Sequence, residues 1–403
     1  MSFTFEALKA RYGDCLFLTF RQPSRTLRML VDGGPAKVYK DFLRKRLETE
    51  RQADPDGELV IDAVMVSHID EDHVLGLLDM FGELQDADAR RQPRPWDVRW
   101  LLHNSFDALL GEGEGRVARA LGGETVLASL GGAEGLSELL GRPLNHEAEL
   151  VLQSYDQGSR LATLAAALKI TRNPPDGSPI MSLATPRVLK LGGASFTIVG
   201  PREAELADLR KEWAAYWADK AKKDAAAKAK AAGLLAIKLD DAVPNLSSIV
   251  ALLEYEGRKV LLTGDARADF IHDGLKAAGK TDNDGALHLD ILKMPHHGSI
   301  RNITEDFLKK VTADHYVASG DGTYGNPDRA TLELLEAARP EGGYAVHLTY
   351  DAETCDAIYE PWKRARPKLG PFDPAKDTIA PVIARWKQEG RITVHEGPVK
   401  IDL

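Results

Sequence analysis

The sequence predicts a mixed α/β fold, and two observations support this prediction. Short apolar runs typical of buried strands alternate with helix-like stretches along most of the chain. Three of these runs end directly in side chains that bind metals or carry protons, as the strand ends of α/β folds often do. With 403 residues, the chain is long enough to bury the core of one large or two medium-sized domains.

Composition and charge narrow the range of functions. A formal net charge of −9 argues against a protein that coats nucleic acid through bulk electrostatics, although bound divalent cations and a local basic rim still permit a nuclease. No apolar run approaches the roughly 20 residues of a membrane span. The N-terminus has no signal-like region, so we expect a cytoplasmic protein without a membrane partner. Cys15 and Cys355 lie outside any metal-type cluster and are expected to be reduced and buried.

The chain begins with strands and one helix. Apolar and alternating patterns predict strands over Phe3–Ala10, Cys15–Phe20 and Thr26–Val31. A helix-like stretch covers Val38–Arg51, and an apolar strand over Ile61–Ser67 follows it. The residues after this last strand are therefore expected at the edge of a sheet.

Four potential metal ligands lie in the six residues after Ser67. His68 and Asp70 alternate across a short extended loop, so both can face one ion, while Asp72 and His73 can face a second. Mixed imidazole and carboxylate ligands favour zinc or manganese over calcium, which takes oxygen ligands almost throughout. A polar loop with solvated carboxylates is the alternative. Four such side chains directly after a buried strand favour the metal site.

The segment from His68 to His73 resembles the first metal-binding motif of the metallo-β-lactamase superfamily, HxHxDH, in the variant HxDxDH found in competence-type, ComEC-like proteins. The resemblance implies a four-layered αβ/βα sandwich with a helical insertion and two divalent cations, zinc or manganese, between the sheets. Asp70 stands where most members have a second histidine. Its anionic oxygen would shift the preference from zinc toward manganese or magnesium.

Two later segments resemble further motifs of the same superfamily. Thr263-Gly264-Asp265 follows an apolar strand and resembles the bridging aspartate, whose carboxylate reduces the repulsion between two cations. The segment Asp290–Ser299 resembles the L-K-x-P-H-H-G-S signature of the competence-type branch. This implies that His296 or His297 completes the second metal site. Alternatively, one imidazole is a ligand and the other protonates the leaving group.

Polar residues near these motifs are candidates for substrate contacts. Ser299, Arg301 and Asn302 follow the histidine pair and are expected to donate hydrogen bonds to a phosphate. Asn326 stands where relatives have the histidine of Tyr-Gly-His-Pro. An asparagine can position a substrate but cannot transfer a proton, so a mechanism that needs this histidine would be altered.

Turn residues and two further histidines are candidate members of the site. Asp14 and Asp32 lie in turns that resemble the opening of the family, where they would orient the histidines, and ordinary hairpin turns are the alternative. His103, after a strand over Trp96–Leu102, is a candidate additional ligand, and His146 is the second choice. Otherwise they are loop histidines.

The remaining elements continue the α/β alternation. Predicted strands, hairpins and helices cover 74–84, 187–201, 245–253, 259–266, 312–318, 329–338 and 344–350, with His347 as a core histidine. We expect a hydrolase domain over 1–350 with insertions at about 107–186 and 202–244, and a C-terminal extension over 351–403 packed on the core. The Ala/Lys tract from Lys220 to Ala232 lacks an apolar stripe. It is expected to be a mobile cover, a DNA-contacting helix, a protease-accessible strap or a solvated helix without a function of its own.

The resemblance implies an enzyme. The expected activity is that of a metal-dependent phosphodiesterase or DNA nuclease, in which a metal-bridged hydroxide attacks phosphorus and Asp72, His296 and His297 take part in catalysis. Its partner would be nucleic acid or another phosphodiester. A small-molecule hydrolase is the first alternative: a phosphocholine esterase, a cyclic-nucleotide phosphodiesterase or a lactonase with a pocket roofed by Trp213, Tyr216 or Trp217. A catalytically silent regulatory module stabilised by metals is the second.

Overall fold

Two mixed β-sheets organise the protein in the computed structural model. The structure describes residues 2–54, 57–105, 109, 146–203, 206 and 248–403, and in the helix from residue 146 it describes side chains from residue 157 onward. The Ala/Lys tract and the three aromatic residues proposed to roof a pocket lie outside this part of the chain. The fold class expected from the sequence, mixed α/β, is confirmed.

Within the described residues, seven strands form the first sheet. They are β1 (Ser2–Ala7), β2 (Leu16–Arg21), β3 (Thr26–Val31), β4 (Val60–Met65), β5 (Asp97–Leu102), β6 (Thr171–Arg172) and β15 (Val399–Asp402). Their spatial order is β15-β1-β2-β3-β4-β5-β6. Pairs from β15 to β3 are antiparallel and pairs from β3 to β6 are parallel. The carboxyl ends of β3, β4 and β5 therefore share one edge.

The second sheet has eight strands in the described part of the chain. They are β7 (Val188–Leu191), β8 (Ala194–Gly200), β9 (Val250–Tyr255), β10 (Arg258–Leu262), β11 (Leu287–Lys293), β12 (Val311–Ala318), β13 (Tyr344–Leu348) and β14 (Ile392–Glu396). Their spatial order is β14-β13-β12-β11-β10-β9-β8-β7. Pairs from β10 to β14 are parallel, so their carboxyl ends also meet at one edge.

Helices connect the parallel strands. They are α1 (Arg44–Ala53), α2 (Glu71–Ala89), α3 (His146–Ala167), α4 (Ala268–Ala277), α5 (Glu305–Lys310), α6 (Arg329–Ala338), α7 (Ala352–Arg364), α8 (Pro374–Asp377) and α9 (Ala380–Glu389). A π-helical turn at Tyr39–Leu43 precedes α1, and 3₁₀ turns lie at Pro295–Gly298 and Pro367–Leu369. Among the described helices, none combines the length and apolarity that crossing a bilayer would require.

Three apolar layers hold these elements together. The layer between the sheets contains side chains of both, such as Phe20, Phe196 and Ile291. A second layer packs α1, α2 and α3 on the first sheet, and a third packs helices such as α4, α6 and α9 on the second. The largest fully buried side chain of α9 is Trp386. The result is an α/β sandwich whose two sheets face each other.

The C-terminal residues are part of both sheets. Residues 351–403 contain α7 to α9 and then β14 and β15, the edge strands of the second and first sheets. This segment therefore completes the sheets, whereas the sequence suggested an extension over the core. The strands at Ile392–Glu396 and Val399–Asp402 each contain only two aliphatic residues, so no continuous apolar run reveals them. Cys15 and Cys355 are buried and form no disulfide, as the sequence predicted.

Candidate metal centre

Strand ends from both sheets meet where the sequence motifs lie. Asp32 follows β3, and the segment from His68 to His73 follows β4 in the first sheet. Asp265 follows β10, and the pair His296 and His297 follows β11 in the second. Because the sheets face each other, loops that are far apart in sequence are brought together at one edge of the sandwich.

The first turn of α2 is held close to two glycine-containing turns. A Cβ atom at Gly13 would lie 1.9 Å from the carbonyl oxygen of Asp72, and one at Gly76 would lie 1.9 Å from that of Gly33. Any side chain at these two glycines would push α2 away from the strands. The Gly-Asp and Asp-Gly-Gly turns are therefore required for close packing around the site, beyond their turn-forming preference.

Seven side chains from these loops surround one buried space. The closest nitrogen–oxygen separations are 3.3 Å for His297–Asp72, 3.4 Å for His73–Asp265, 3.4 Å for His68–Asp70, 3.5 Å for His73–Asp72, 3.5 Å for His296–Asp265, 3.6 Å for His297–Asp265 and 3.7 Å for His68–Asp265. The imidazole atom is Nε2 in every pair. Ligand atoms about 2.1 Å from a common ion lie about 3.0–3.5 Å from one another, so this spacing fits metal ligands.

Four atoms of this cluster are buried without a hydrogen-bond partner in the described structure. They are Nε2 of His68, His73 and His297 and Oδ1 of Asp265. Unpartnered buried polar atoms are costly, and they occur here side by side. Atoms of Asp14, His73, Asp265 and His297 lie within 4.8 Å of one another, as do atoms of His68, Asp72 and His73. The donor set therefore fits divalent cations.

The start of α2 determines where the ligands after β4 lie. Asp70 is the N-cap of α2, yet its carboxylate makes no capping hydrogen bond and lies 3.4 Å from His68 Nε2 instead. Asp72 and His73 occupy the first turn of the helix, where the helix dipole favours negative charge. The helix therefore begins at Glu71, three residues before the predicted start at Val74, because the motif itself forms its first turn.

Opposite charges dominate the electrostatics of the centre. Burial alone would raise the pKa of Asp265, but the surrounding histidines, led by His296 and His297, hold that pKa well below its usual range. Burial would lower the pKa of His73, but Asp72 and Asp265 raise it well above the ordinary histidine value. The carboxylates thus attract positive charge into the space, as protons or as cations.

A serine and an aspartate orient the histidines after β4. The Nδ1 atom of His73 donates to Asp32 Oδ2 (3.0 Å), and the Nδ1 atom of His68 donates to Ser67 Oγ (3.1 Å). Ser67 in turn donates its backbone N–H and its hydroxyl to Asp32, both at 2.7 Å. With Nδ1 held in this way, both Nε2 atoms face the space between the sheets. Asp32 lies where the resemblance suggested, and Ser67 was not singled out from the sequence.

His297 is held by a similar arrangement from the second sheet. Its Nδ1 donates to Ser319 Oγ (3.1 Å), and Ser319 donates to Asp14. Lys293 Nζ lies 2.7 Å from Asp14 Oδ2, and both side chains are only 1% exposed. Burial would raise the pKa of Asp14, but Lys293 keeps it below its usual range. Asp14 thus orients His297, and Lys293 and Ser319 are supporting residues that sequence reasoning missed.

His296 lies on the open side of the centre. Its side chain is 34% exposed, compared with 2% for His297. Both histidines have left-handed backbone conformations, with φ of 48° and 56°, and such strain in non-glycine residues is typical of functional sites. The Nδ1 atom of His296 donates to Asn302 Oδ1 (2.9 Å), which leaves Nε2 directed toward Asp265.

The expected phosphate donors are only partly placed for that role. Asn302 uses its Oδ1 for His296 and donates Nδ2 to the carbonyl oxygen of Asp265 (2.9 Å), so it positions the site, and its contact with a phosphate stays a prediction. Ser299 is buried, and its backbone N–H donates to the backbone carbonyl oxygen of His296. Arg301 is exposed on the same loop. Asn326 donates Nδ2 to the carbonyl oxygen of His296 at 3.4 Å.

His103 lies outside the cluster. Its ring is buried and donates Nε2 to the carbonyl of Gly158 in α3 (3.1 Å), and burial lowers its pKa to about 4. The suggestion that it is a metal ligand is therefore not supported by its placement, because its Nε2 atom faces α3 and, among the described residues, it belongs to neither group of clustered ligand atoms. His146 begins α3, and its side chain lies outside the described residues.

Comparisons with known proteins give short or distant matches. No protein-family model matches the chain. Microtubule-associated protein 1A from Mus musculus and from Homo sapiens is 30% identical over 93 and 98 residues, which is 22% of this chain. The chain spans only 3–4% of the length of these curated relatives. A crystal structure of a protein of unknown function from Enterococcus faecalis V583 covers 98% of this chain and 88% of its own, with 12% identity and a TM-score of 0.27. At this coverage and TM-score, neither likeness identifies a family or an activity.

Proposed function

We propose that the protein is a metal-dependent hydrolase of phosphodiesters with the four-layered sandwich of the metallo-β-lactamase superfamily. The observation that carries this proposal is the group of buried, unpartnered atoms on His68, His73, His297 and Asp265, which face one another at the meeting point of two sheets. A structural histidine cluster would satisfy these atoms internally. The helices packed on the outer face of each sheet are consistent with the proposed fold.

Two groups of ligands would hold the ions. His68 and Asp70 would bind one, and Asp72, His73 and His297 would bind the other, with Asp265 between the groups because its two oxygens face histidines of both. When bound, divalent cations lower the pKa of a water molecule and stabilise the charge that develops on a phosphate. Asp14 and Asp32 would keep the ligand histidines in the correct orientation.

His296 is the proposed proton donor. It is the most exposed imidazole of the centre, and Asn302 accepts the hydrogen of its Nδ1, so a proton carried on Nε2 would lie beside Asp265 Oδ2, 3.5 Å away, where the substrate would meet the centre. From there it can be transferred to the leaving oxygen of the substrate. His297, which is buried against Asp72 and Asp265, is assigned to ligation instead. The exposed Arg301 on the same loop adds a positive charge that suits an anionic substrate.

A metal-by-substrate screen tests this function. Purified protein is analysed for bound metals and incubated with manganese, zinc or magnesium and four substrates: bis(p-nitrophenyl) phosphate, p-nitrophenylphosphocholine, a cyclic nucleotide and a lactone. We expect up to two bound ions and hydrolysis of the first substrate. Asp265→Ala should lose both metal and activity, whereas His288→Ala, which removes an exposed histidine of β11, should retain them.

The outcomes separate the alternatives. Hydrolysis of the lactone or the phosphocholine ester alone would replace the proposal with a small-molecule hydrolase. Bound metal without turnover of any substrate would indicate a metal-stabilised regulatory module. Full activity of Asp265→Ala would show that the assigned site is wrong.

A further inference from the structure

Four aromatic side chains form a continuous row beside the metal centre. We call this row, Tyr12, Tyr324, Trp362 and Tyr359, the aromatic wall. Successive ring centroids are 5.2, 5.6 and 5.9 Å apart, within the range of interacting aromatic pairs. All four side chains are partly exposed. The wall therefore presents aromatic surface to solvent and is not part of a closed core.

The loop after β12 fixes the wall to the metal centre. Tyr324 lies two residues before Asn326, whose amide donates to the carbonyl of His296. At Gly325, φ is +92° and a Cβ atom would lie 2.9 Å from the ring of Tyr359. At Gly322, a Cβ atom would lie 2.2 Å from the carbonyl oxygen of Cys355 in α7. The loop is thus pressed against α7, and the position of the wall relative to His296 is determined.

The other end of the wall contacts α2. The hydroxyl of Tyr12 donates to Glu71 Oε1 (3.2 Å), and Glu71 immediately precedes Asp72. Burial, together with the charges of Asp72 and Glu71, raises the pKa of Tyr324 to about 12. Its phenol is therefore a neutral hydrogen-bond donor at the rim of the metal centre.

The positive charges near the wall differ in how they are neutralised. Lys363 pairs with Asp377 (2.6 Å) and Arg364 pairs with Glu360 (2.7 Å). Arg366 instead lies over Trp362, with its guanidinium carbon 4.2 Å from the ring centroid, and donates to the carbonyl of Trp362. Within the described residues, neither Arg366 nor the exposed Lys368 forms an ion pair with a carboxylate. Their charges therefore remain available to an anion.

We propose that the aromatic wall binds single-stranded nucleic acid, with bases against Tyr324 and Trp362 and a backbone phosphate at Arg366, next to the phosphate that is cleaved. This inference rests on the proposed function and names its substrate class. Aromatic faces combined with cations are how proteins bind single strands, because unpaired bases are free to stack on side chains. A quaternary ammonium ligand, as in a choline ester, would be repelled by the guanidinium over Trp362.

Binding and cleavage of a short oligonucleotide test the inference. Fluorescence anisotropy of labelled oligothymidylate in EDTA measures affinity without turnover, and kcat/KM is then compared between the oligonucleotide and bis(p-nitrophenyl) phosphate. The variants are Trp362→Ala, Trp362→Phe and Arg366→Gln, and the control is Arg90→Gln, which removes an exposed arginine at the end of α2. Circular dichroism checks the folding of each variant, and Trp362→Phe retains an aromatic ring if the alanine variant fails to fold.

The expected result is selective. Trp362→Ala and Arg366→Gln should each weaken oligonucleotide binding on the order of tenfold, and they should lower kcat/KM for the oligonucleotide about tenfold more than for the small diester. Trp362→Phe should lie between the wild type and the alanine variant. The control should match the wild type on both substrates.

Failure of this inference is distinguishable from failure of the proposed function. If the wild type cleaves the oligonucleotide and the wall variants bind and cleave it equally well, the wall has no such role, although the hydrolase proposal stands. Equal losses of kcat/KM on both substrates would also overturn the inference, since they would indicate a structural role for the wall. Anisotropy measurements that show stronger binding to a duplex than to a single strand would overturn it as well. If neither substrate is hydrolysed, the hydrolase proposal fails, and the anisotropy measurements alone decide whether the wall binds the strand.

Discussion

The protein contains two groups of histidines in different surroundings. In the metal centre, His68, His73, His296 and His297 direct their Nε2 atoms toward carboxylates. On the second sheet, His315, His347 and His395 instead lie beside one another on neighbouring strands. The Nδ1 of His315 is 3.0 Å from the Nε2 of His347, and the rings of His347 and His395 stack with centroids 4.6 Å apart.

The difference shows what makes a group of histidines attract cations. Burial lowers the pKa of His347 to about 3, and its two imidazole neighbours contribute to the lowering. Burial also acts on His297, but Asp265 and Asp14 reverse its effect and raise that pKa well above the ordinary value. Both groups contain imidazoles in van der Waals contact. Carboxylates among the rings therefore distinguish the candidate metal centre from the row on the second sheet, where burial and neighbouring imidazoles lower the pKa of His347.

Removing a carboxylate from the centre should have the largest effect. Asp72→Ala deletes an oxygen that lies 3.3 Å from His297 and 3.5 Å from His73. We expect kcat for the phosphodiester to fall about 10³-fold, because one ligand and its charge are lost together. Steady-state kinetics with elemental analysis measure this. Replacing His395, an exposed member of the second group, by asparagine should leave kcat within about twofold, and similar losses in both variants would remove the distinction.

Breaking the buried ion pair behind His297 should mainly affect stability. Lys293→Met leaves Asp14 as a buried carboxylate without its cation. Removing one partner of such a pair costs about 3–5 kcal/mol, because the remaining charge is uncompensated. Urea unfolding of the metal-free protein measures the loss. The double variant Asp14→Asn/Lys293→Met removes both charges and should recover part of the stability. If it is no more stable than Lys293→Met, the penalty does not arise from an isolated charge.

Weakening the orientation of His73 should have a smaller effect. Asp32→Asn keeps the size of the side chain but removes the charge that accepts the Nδ1 hydrogen of His73. Partners of this kind typically contribute 10- to 100-fold to metal affinity, so we expect a loss of about that size in a competition titration with a chromophoric chelator. Asp62→Asn is the control, because it changes another buried aspartate that lies away from the centre. Asp62 accepts hydrogen bonds from the backbone N–H of Arg28 and the guanidinium of Arg99. Equal losses in the two variants would contradict an orienting role for Asp32.

The ligand-type residues were found from the sequence because they are local. His68 to His73 are contiguous, and Asp265 and the histidine pair each follow an apolar run, so a strand-end pattern is enough to select them. Most strands follow from the same patterns, β14 and β15 excepted, and β3 and α6 have the bounds that were predicted. Predictions were less accurate where polar ligand-type residues form the first turn of a helix, as at the beginning of α2.

The supporting residues were not found because their roles depend on distant contacts. Ser319 donates to Asp14 across 305 positions of the chain, and Lys293 meets the same carboxylate from another strand. No local pattern separates such a serine or lysine from an ordinary strand residue. Asn302 shows the reverse case: it lies next to the motif, as a substrate contact would, yet its amide holds His296 and the Asp265 backbone.

The histidine row should contribute a modest dependence of stability on pH. The pKa of His347 is about 3 in the folded protein, and an unfolded histidine has a pKa of about 6.5. Between these values the unfolded chain binds more protons, so the row lowers stability as pH falls from about 6.5 toward 3. Glutamine at position 347 cannot take up that proton. We therefore expect the decrease in Tm between pH 7 and pH 4.5 to be smaller in His347→Gln by a few degrees.

Thermal unfolding at several pH values, followed by circular dichroism, measures this difference. His288→Gln is the matched control, because His288 is exposed on β11 and lies beside a threonine and an aspartate instead of other imidazoles. If His347→Gln and the wild type lose the same amount of Tm on acidification, the row does not exclude protons. The contrast between the two histidine groups would then rest on the metal centre alone.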